Sequence, residues 1–90
     1  MKYVKISARM KYYKVYFTPN ATRSEISEFL REAEEWGLVD YDSESAVMGL
    51  TEDEWREYKR EFWKFLEYWG HILMDKNDEI ILEEVRNPRL

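Results

Sequence analysis

The sequence predicts an α+β domain, and three observations carry that prediction. Two apolar stripes recur at helical spacing, each opened by a Thr-x-x-Glu capping box and closed by a glycine. Strand-like segments rich in Tyr, Val, Ile and Phe surround them. The 90 residues contain no cysteine, so a packed core must hold the fold, and four Trp, seven Tyr and four Phe supply large buried areas for it.

The first segment, Lys2 to Phe17, alternates apolar and polar residues through Val4, Ile6, Ala8, Met10 and Tyr12. Tyr13, Val15 and Phe17 then take the opposite parity, which predicts a bulge, bend or second strand near Tyr12. Pro19 and Asn20 end the strand, and Thr22-Arg23-Ser24-Glu25 opens a helix near Arg23 to Trp36. Its stripe is Ile26, Phe29, Leu30 and Ala33, with Trp36 near the edge and Gly37 as the stop. Leu38 to Tyr41 and Ala46 to Leu50 read as a hairpin about the polar turn Asp42 to Ser45. Thr51-Glu52-Asp53-Glu54 opens a second helix, near Glu52 to Trp69, whose stripe is Trp55, Tyr58, Phe62, Leu66 and Trp69; Gly70 closes it. His71 to Met74 and Glu79 to Val85 read as strands about the turn Asp75 to Asp78.

Strand, helix, strand, strand, helix, strand, with extra strand length at both ends, is the order of a ferredoxin-like split βαβ plait (βαββαβ), its two helices on one face of an antiparallel sheet. A winged helix-turn-helix fits less well, because it needs a third helix and leaves the aromatic first segment unexplained. Residues 1–90 are expected to form one domain, with 1–17 a basic aromatic strand arm and 86–90 a loose tail.

Charge is distributed unevenly. Up to Ser24 there are six basic residues and no acid; beyond it there are eight bases and nineteen acids, so the net charge of −5 is a +6 arm joined to a −11 body. The acidic body argues against broad duplex binding. No apolar run reaches the roughly 20 residues of a membrane span, and a cytoplasmic protein without a membrane partner is expected. The lack of Gln and the wealth of Glu, Lys, Arg and Tyr match the trend of thermophilic proteins.

Catalysis finds little support in the residues. His71 is the single histidine, no nucleophile and base can be paired around it, and neither a metal nor a cofactor is expected. Asp75 to Glu79 mimics the opening of a calcium loop, but Ile80 stands where that loop needs Gly and Arg86 where it needs Glu. Two interaction surfaces remain. The first is acidic and aromatic: Glu32, Glu35, Glu57 and Glu61 on the helices, with Trp63 and Tyr68 on opposite flanks of the second stripe, where both wrapping onto the sheet edges is the plainer reading and an exposed partner or dimer contact the alternative. The second is the arm, where Lys5, Arg9, Lys11 and Tyr13 offer cations for phosphate and a ring for a base; neutralisation of the acidic helices is the plainer role for those cations.

From Lys14 to Val85, with Gly49-Leu50-Thr51-Glu52 opening the second helix, the layout resembles the small CRISPR-associated plait proteins. That family has an Asp for metal at the end of its first strand, whereas this chain reads Val15-Tyr16-Phe17-Thr18-Pro19, so the resemblance implies the plait without the nuclease activity. In being short, acidic and cysteine-free, the chain is also similar to inhibitors from viruses and mobile elements, anti-CRISPR proteins among them. Together these features lead to the expectation of a non-enzymatic inhibitor or regulator that occludes a basic, nucleic-acid-handling protein, in the host cytoplasm if the source is viral. The alternatives are a single-strand nucleic-acid-binding module and a homodimeric plait holding a small ligand.

Overall fold

The computed structural model describes residues 9–89. The chain runs through strand β1 (Met10–Tyr16), helix α1 (Arg23–Ala33) with a 3-10 turn over Glu34–Trp36, strands β2 (Leu38–Tyr41) and β3 (Ser45–Thr51), and helices α2 (Glu52–Glu57) and α3 (Lys59–Tyr68). A second 3-10 turn, Gly70–Ile72, leads to the short strands β4 (Asp75–Lys76), β5 (Glu79–Ile80) and β6 (Glu83–Val85). The molecule is α+β, with its helices packed against an antiparallel sheet in the order β2-β3-β1-β6; β4 and β5 pair separately.

Both helix starts form as their sequences dictate. Thr22 Oγ1 accepts from Glu25 N at 3.1 Å while Glu25 Oε1 accepts from Thr22 N at 2.9 Å, and Thr51 and Glu54 repeat the exchange at 3.1 and 3.0 Å. Gly37 stops the first helix at φ 76° and its carbonyl accepts from Gly49 N at 2.8 Å, joining the helix end directly to β3. The hairpin of β2 and β3 is closed by the Asp42 carboxylate, which accepts from the amides of Glu44 (2.7 Å) and Ser45 (2.8 Å). These bonds also hold the Asp42 carboxyl below its ordinary range, the Glu44 amide being the main cause.

The core lies between the sheet and the helices. Tyr13, Val15 and Phe17 from the first strand region and Ala46, Met48 and Leu50 from β3 share one sheet face, because Tyr13 opposes Met48 and Val15 opposes Ala46. Phe29 and Ala33 of α1, Trp55 of α2, and Phe62 and Leu66 of α3 cover that face, with Trp69, Ile72 and Leu73 closing one end. Edge-to-face rings tie the layers together: Phe17 on Phe29 (5.5 Å), Tyr13 on Trp55 (5.1 Å) and Trp55 on Phe62 (4.7 Å).

Several sequence expectations need correction. The element order is βαββααβββ rather than βαββαβ, since a small hairpin stands between α3 and the last strand of the main sheet. That hairpin turns on Asn77 and Asp78 at φ 55° and 63°, a two-residue left-handed turn that the polar run Asp75 to Asp78 concealed. His71 to Met74 is mainly a 3-10 turn, with Leu73 bridging to Phe17 alone, so it is not a strand. The second helix divides at Tyr58 (φ −102°, ψ 16°), although Tyr58 N still donates to Glu54 O and Phe62 N to Tyr58 O, both at 2.9 Å. Tyr58 is exposed, although the stripe placed it inside.

There is no bulge at Tyr12. β1 pairs with β3 without a break from Met10–Thr51 to Tyr16–Ser45, and the irregularity falls in β2, between Leu38 and Asp40. Val4, Ile6 and Ala8 lie outside the described residues, as does Lys5. The expected loose tail makes a contact of its own: Arg89 Nε donates to the Val39 carbonyl at 2.9 Å, linking chain that leaves β6 to β2 at the opposite edge of the sheet.

Candidate functional site

The α2–α3 segment presents two different flanks to solvent. On the flank facing α1, Glu35, Trp36 and Glu61 border two adjoining clefts of about 410 and 320 Å³. Glu32 and Tyr68 extend the first cleft, and Glu54 and Tyr58 extend the second. The helical period explains this meeting, because positions 54, 58 and 61 of one segment and positions 32 and 35 of the other face each other across the α1–α3 seam. Tyr68 is 70% exposed and Tyr58 45% exposed, so two amphipathic rings stand in water beside four carboxylates.

Two of these carboxylates also serve the fold. Glu32 accepts a hydrogen bond from Trp69 Nε1, which fixes the indole that lies edge-on to Phe29 at 5.8 Å. Glu54 closes its capping box, and the Thr51 backbone amide is the main reason its carboxyl lies below the ordinary range. Glu35 and Glu61 make no ion pair within 4.0 Å among the described residues.

The sequence-predicted set is therefore divided. Glu32, Glu35, Glu61 and Tyr68 come together, whereas Glu57 and Trp63 lie on the other flank beside Arg56, Lys59, Arg60 and Lys64. Glu61 and Lys64 border both surfaces, so the acidic cleft carries one cation at its edge. Trp63 and Tyr68 are both exposed, Trp63 at 36%. Tyr58 and Glu54 were absent from the expected site, since the stripe assigned one to the core and the capping box assigned the other to the helix start. The basic flank was also missed. Its signal is the recurrence of cations at 56, 59, 60 and 64 around Trp63, hidden by the intervening Glu57 and Glu61.

The described part of the alternative nucleic-acid set makes contacts within the molecule. Arg9 Nε lies 3.6 Å from Glu52, and Lys11 Nζ lies 3.9 Å from Glu52 and 4.0 Å from Glu84. The Tyr13 ring is half-buried and edge-on to Trp55. His71 Nε2 sits 3.4 Å from Glu25 and its ring stacks on Trp69 at 5.9 Å. Among the described residues no group of three His, Cys, Asp or Glu side chains could hold a metal ion, and no helix is long and apolar enough to cross a membrane. No protein-family model, curated protein or solved structure matches the chain.

Proposed function

We propose that this chain is a small non-enzymatic binding protein whose acidic, tyrosine-bearing clefts between α1 and α2–α3 receive a basic segment of a partner protein. The observation that carries the reading is the placement of Glu35 and Glu61, neither paired with a cation among the described residues, beside the exposed rings of Tyr58 and Tyr68. Carboxylates of one sign accelerate encounter with a cationic partner, and rings that become desolvated slow its release. A nucleic-acid-handling partner, blocked in the manner of an anti-CRISPR protein, is the narrower form of the proposal; it draws on the acidic body and the composition alone. On the fold, the sheet order β2-β3-β1-β6 supports a ferredoxin-like plait in which β4–β5 is an insertion before the last strand.

The test begins with a pull-down from the native host, or from its infected cells, followed by association kinetics with the retained protein at two salt concentrations. Reversing charge in Glu35→Lys/Glu61→Lys is expected to slow association about tenfold at low salt, and less at high salt, as electrostatic steering requires. Tyr68→Ala is expected to raise the dissociation rate and leave association unchanged. Association indifferent to the glutamate reversals, with retention of nucleic acid that fails on Lys11→Glu, would overturn the proposal in favour of the arm.

A further inference from the structure

The basic flank borders a groove of its own. Between β1, the chain leading into β6, and α2–α3 lies a space of about 440 Å³, within the range that accommodates small organic ligands. Its floor is aromatic: Tyr13 stands edge-on to Trp55 at 5.1 Å, Trp55 meets Phe62 at 4.7 Å, and Trp55 Nε1 donates to the Lys11 carbonyl at 2.9 Å. Trp63, 36% exposed, forms one wall.

The rim is charged: Glu52, engaged by Arg9 and Lys11, shares it with Arg56 and Lys59. Arg56 approaches Asp53 at 3.3 Å, but both are mostly exposed, so the pair is weak. Among the described residues no carboxylate lies within 4.0 Å of the nitrogens of Lys59, Arg60 or Lys64, all of which stand around Trp63. Around Trp63 these cations are interspersed with Glu57, Glu61 and Glu67, but in the groove itself Lys11, Arg56 and Lys59 outnumber Glu52, a local preference for negative charge in a chain of net charge −5.

We infer that this groove binds a planar aromatic anion of about mononucleotide size, its ring against Trp63 and the Tyr13–Trp55 floor and its anionic group at Lys59 and Arg56. Stacking and cation contact act together in such a site, so a ligand lacking either half loses most of the affinity. The inference is independent of the acidic clefts, which lie on the other flank of the same helical segment.

The experiment is a titration of the full chain followed through the indole N–H signals of its four tryptophans, with adenosine monophosphate as probe and adenosine and inorganic phosphate as its two halves. The monophosphate is expected to shift Trp55 and Trp63 saturably while Trp69, which packs on Phe29 and His71, stays in place. Adenosine and phosphate are each expected to bind at least about tenfold more weakly, the discrimination a lost charged or stacking contact supplies. Lys59→Glu and Trp63→Ala, both at exposed positions, should keep the amide spectrum of the fold and weaken the monophosphate at least about fivefold each. The inference is overturned by the absence of a saturable shift, by adenosine binding as well as its monophosphate, or by Lys59→Glu leaving the titration unchanged. A single-stranded oligonucleotide that binds more than about tenfold tighter, with shifts spreading beyond the groove, would also overturn it and make the flank a strand-binding surface.

Discussion

The two faces of the main sheet are closed by different means. On the helix side, large side chains interlock: Val15, Phe17 and Met48 meet Phe29, Phe62 and Leu66, and Phe29 and Phe62 each touch three other rings. On the other side, among the described residues, no helix packs. There Tyr12 lies on Gly49, so closely that a Cβ at position 49 would stand 2.5 Å from the ring. Lys14 Nζ sits 5.2 Å from the centre of the Tyr16 ring, whose hydroxyl donates to Glu83 at 3.0 Å. Val47 and Gly49 are buried on this face nonetheless. The first face is closed by volume and the second by fit to a missing side chain, so they should fail in different ways.

The largest effect is expected on the helix side. Phe62→Ala removes a ring in contact with Trp36, Trp55 and Phe65, and should cost about 3–5 kcal/mol in a urea titration. A loss below about 1 kcal/mol would mean that the core collapses readily around this site. Next comes the junction of the first helix with the sheet. Gly37→Ala forces a side chain into φ 76° and places Cβ 2.0 Å from the Gly49 carbonyl oxygen, a backbone atom that β3 holds in place. About 2–4 kcal/mol is expected from the left-handed backbone and the crowding together. A neutral result would show that β2 shifts freely at its irregularity.

Gly49→Ala tests the other face directly and should cost about 1–3 kcal/mol, because the Tyr12 ring must move. In a Tyr12→Ala background the same change should be almost neutral, and the coupling is the sharper readout. Equal costs in both backgrounds would mean that the strain resides in β3 rather than in the ring-on-glycine contact.

The pH dependence compares the helix starts with the hairpin. Glu25 and Glu54 are held below their ordinary value of 4.5 chiefly by the amides of Thr22 and Thr51, and Asp42 below 3.8 chiefly by the amide of Glu44. A depressed folded-state carboxyl contributes stability that is fully present above the ordinary value and is lost as pH falls through the folded one. Stability should therefore decline progressively on acidification below about pH 4.5. Glu25→Gln, which removes the titrating group, should flatten that slope, whereas Thr22→Ala keeps the amide at position 22 and should lower stability by about 1 kcal/mol at neutral pH with much of the slope retained. An unchanged acid limb in Glu25→Gln would show that the capping carboxylate does not drive it.

What could be read in the sequence follows the range of the interactions. Both capping boxes and the Gly37 stop were legible because each depends on residues within a turn of one another. The phase change at Tyr12 was visible but misread: an alternation that switches parity looks like a bulge when one face is assumed to be buried, whereas here both faces are covered. The break at Tyr58 and the hairpin at Asn77 depend on packing and on a turn that polar spacing alone does not specify. At the site, the carboxylates and exposed rings were legible as residue types. Their partners were not: that Glu52 and Glu84 occupy Arg9 and Lys11, while Lys59 has no such partner among the described residues, is a matter of tertiary distance.

The smallest expected effect separates a cover from a core. Arg89 reaches Val39 from the far edge of the sheet through a single hydrogen bond at an exposed position, so Arg89→Ala should cost less than about 1 kcal/mol globally. Its effect should instead be local, because the bond closes chain across the sheet without filling a cavity. Hydrogen exchange at the Gly49 amide, which donates to Gly37 beside β2, should quicken, while the amide of Phe62 in α3 keeps its protection. A global loss above about 2 kcal/mol would place Arg89 among the elements that hold the core, on the scale of a lost buried partner. Unaltered exchange at Gly49 would show that the face closed by Tyr12 needs no help from the tail, which would make the contrast between the two faces sharper still.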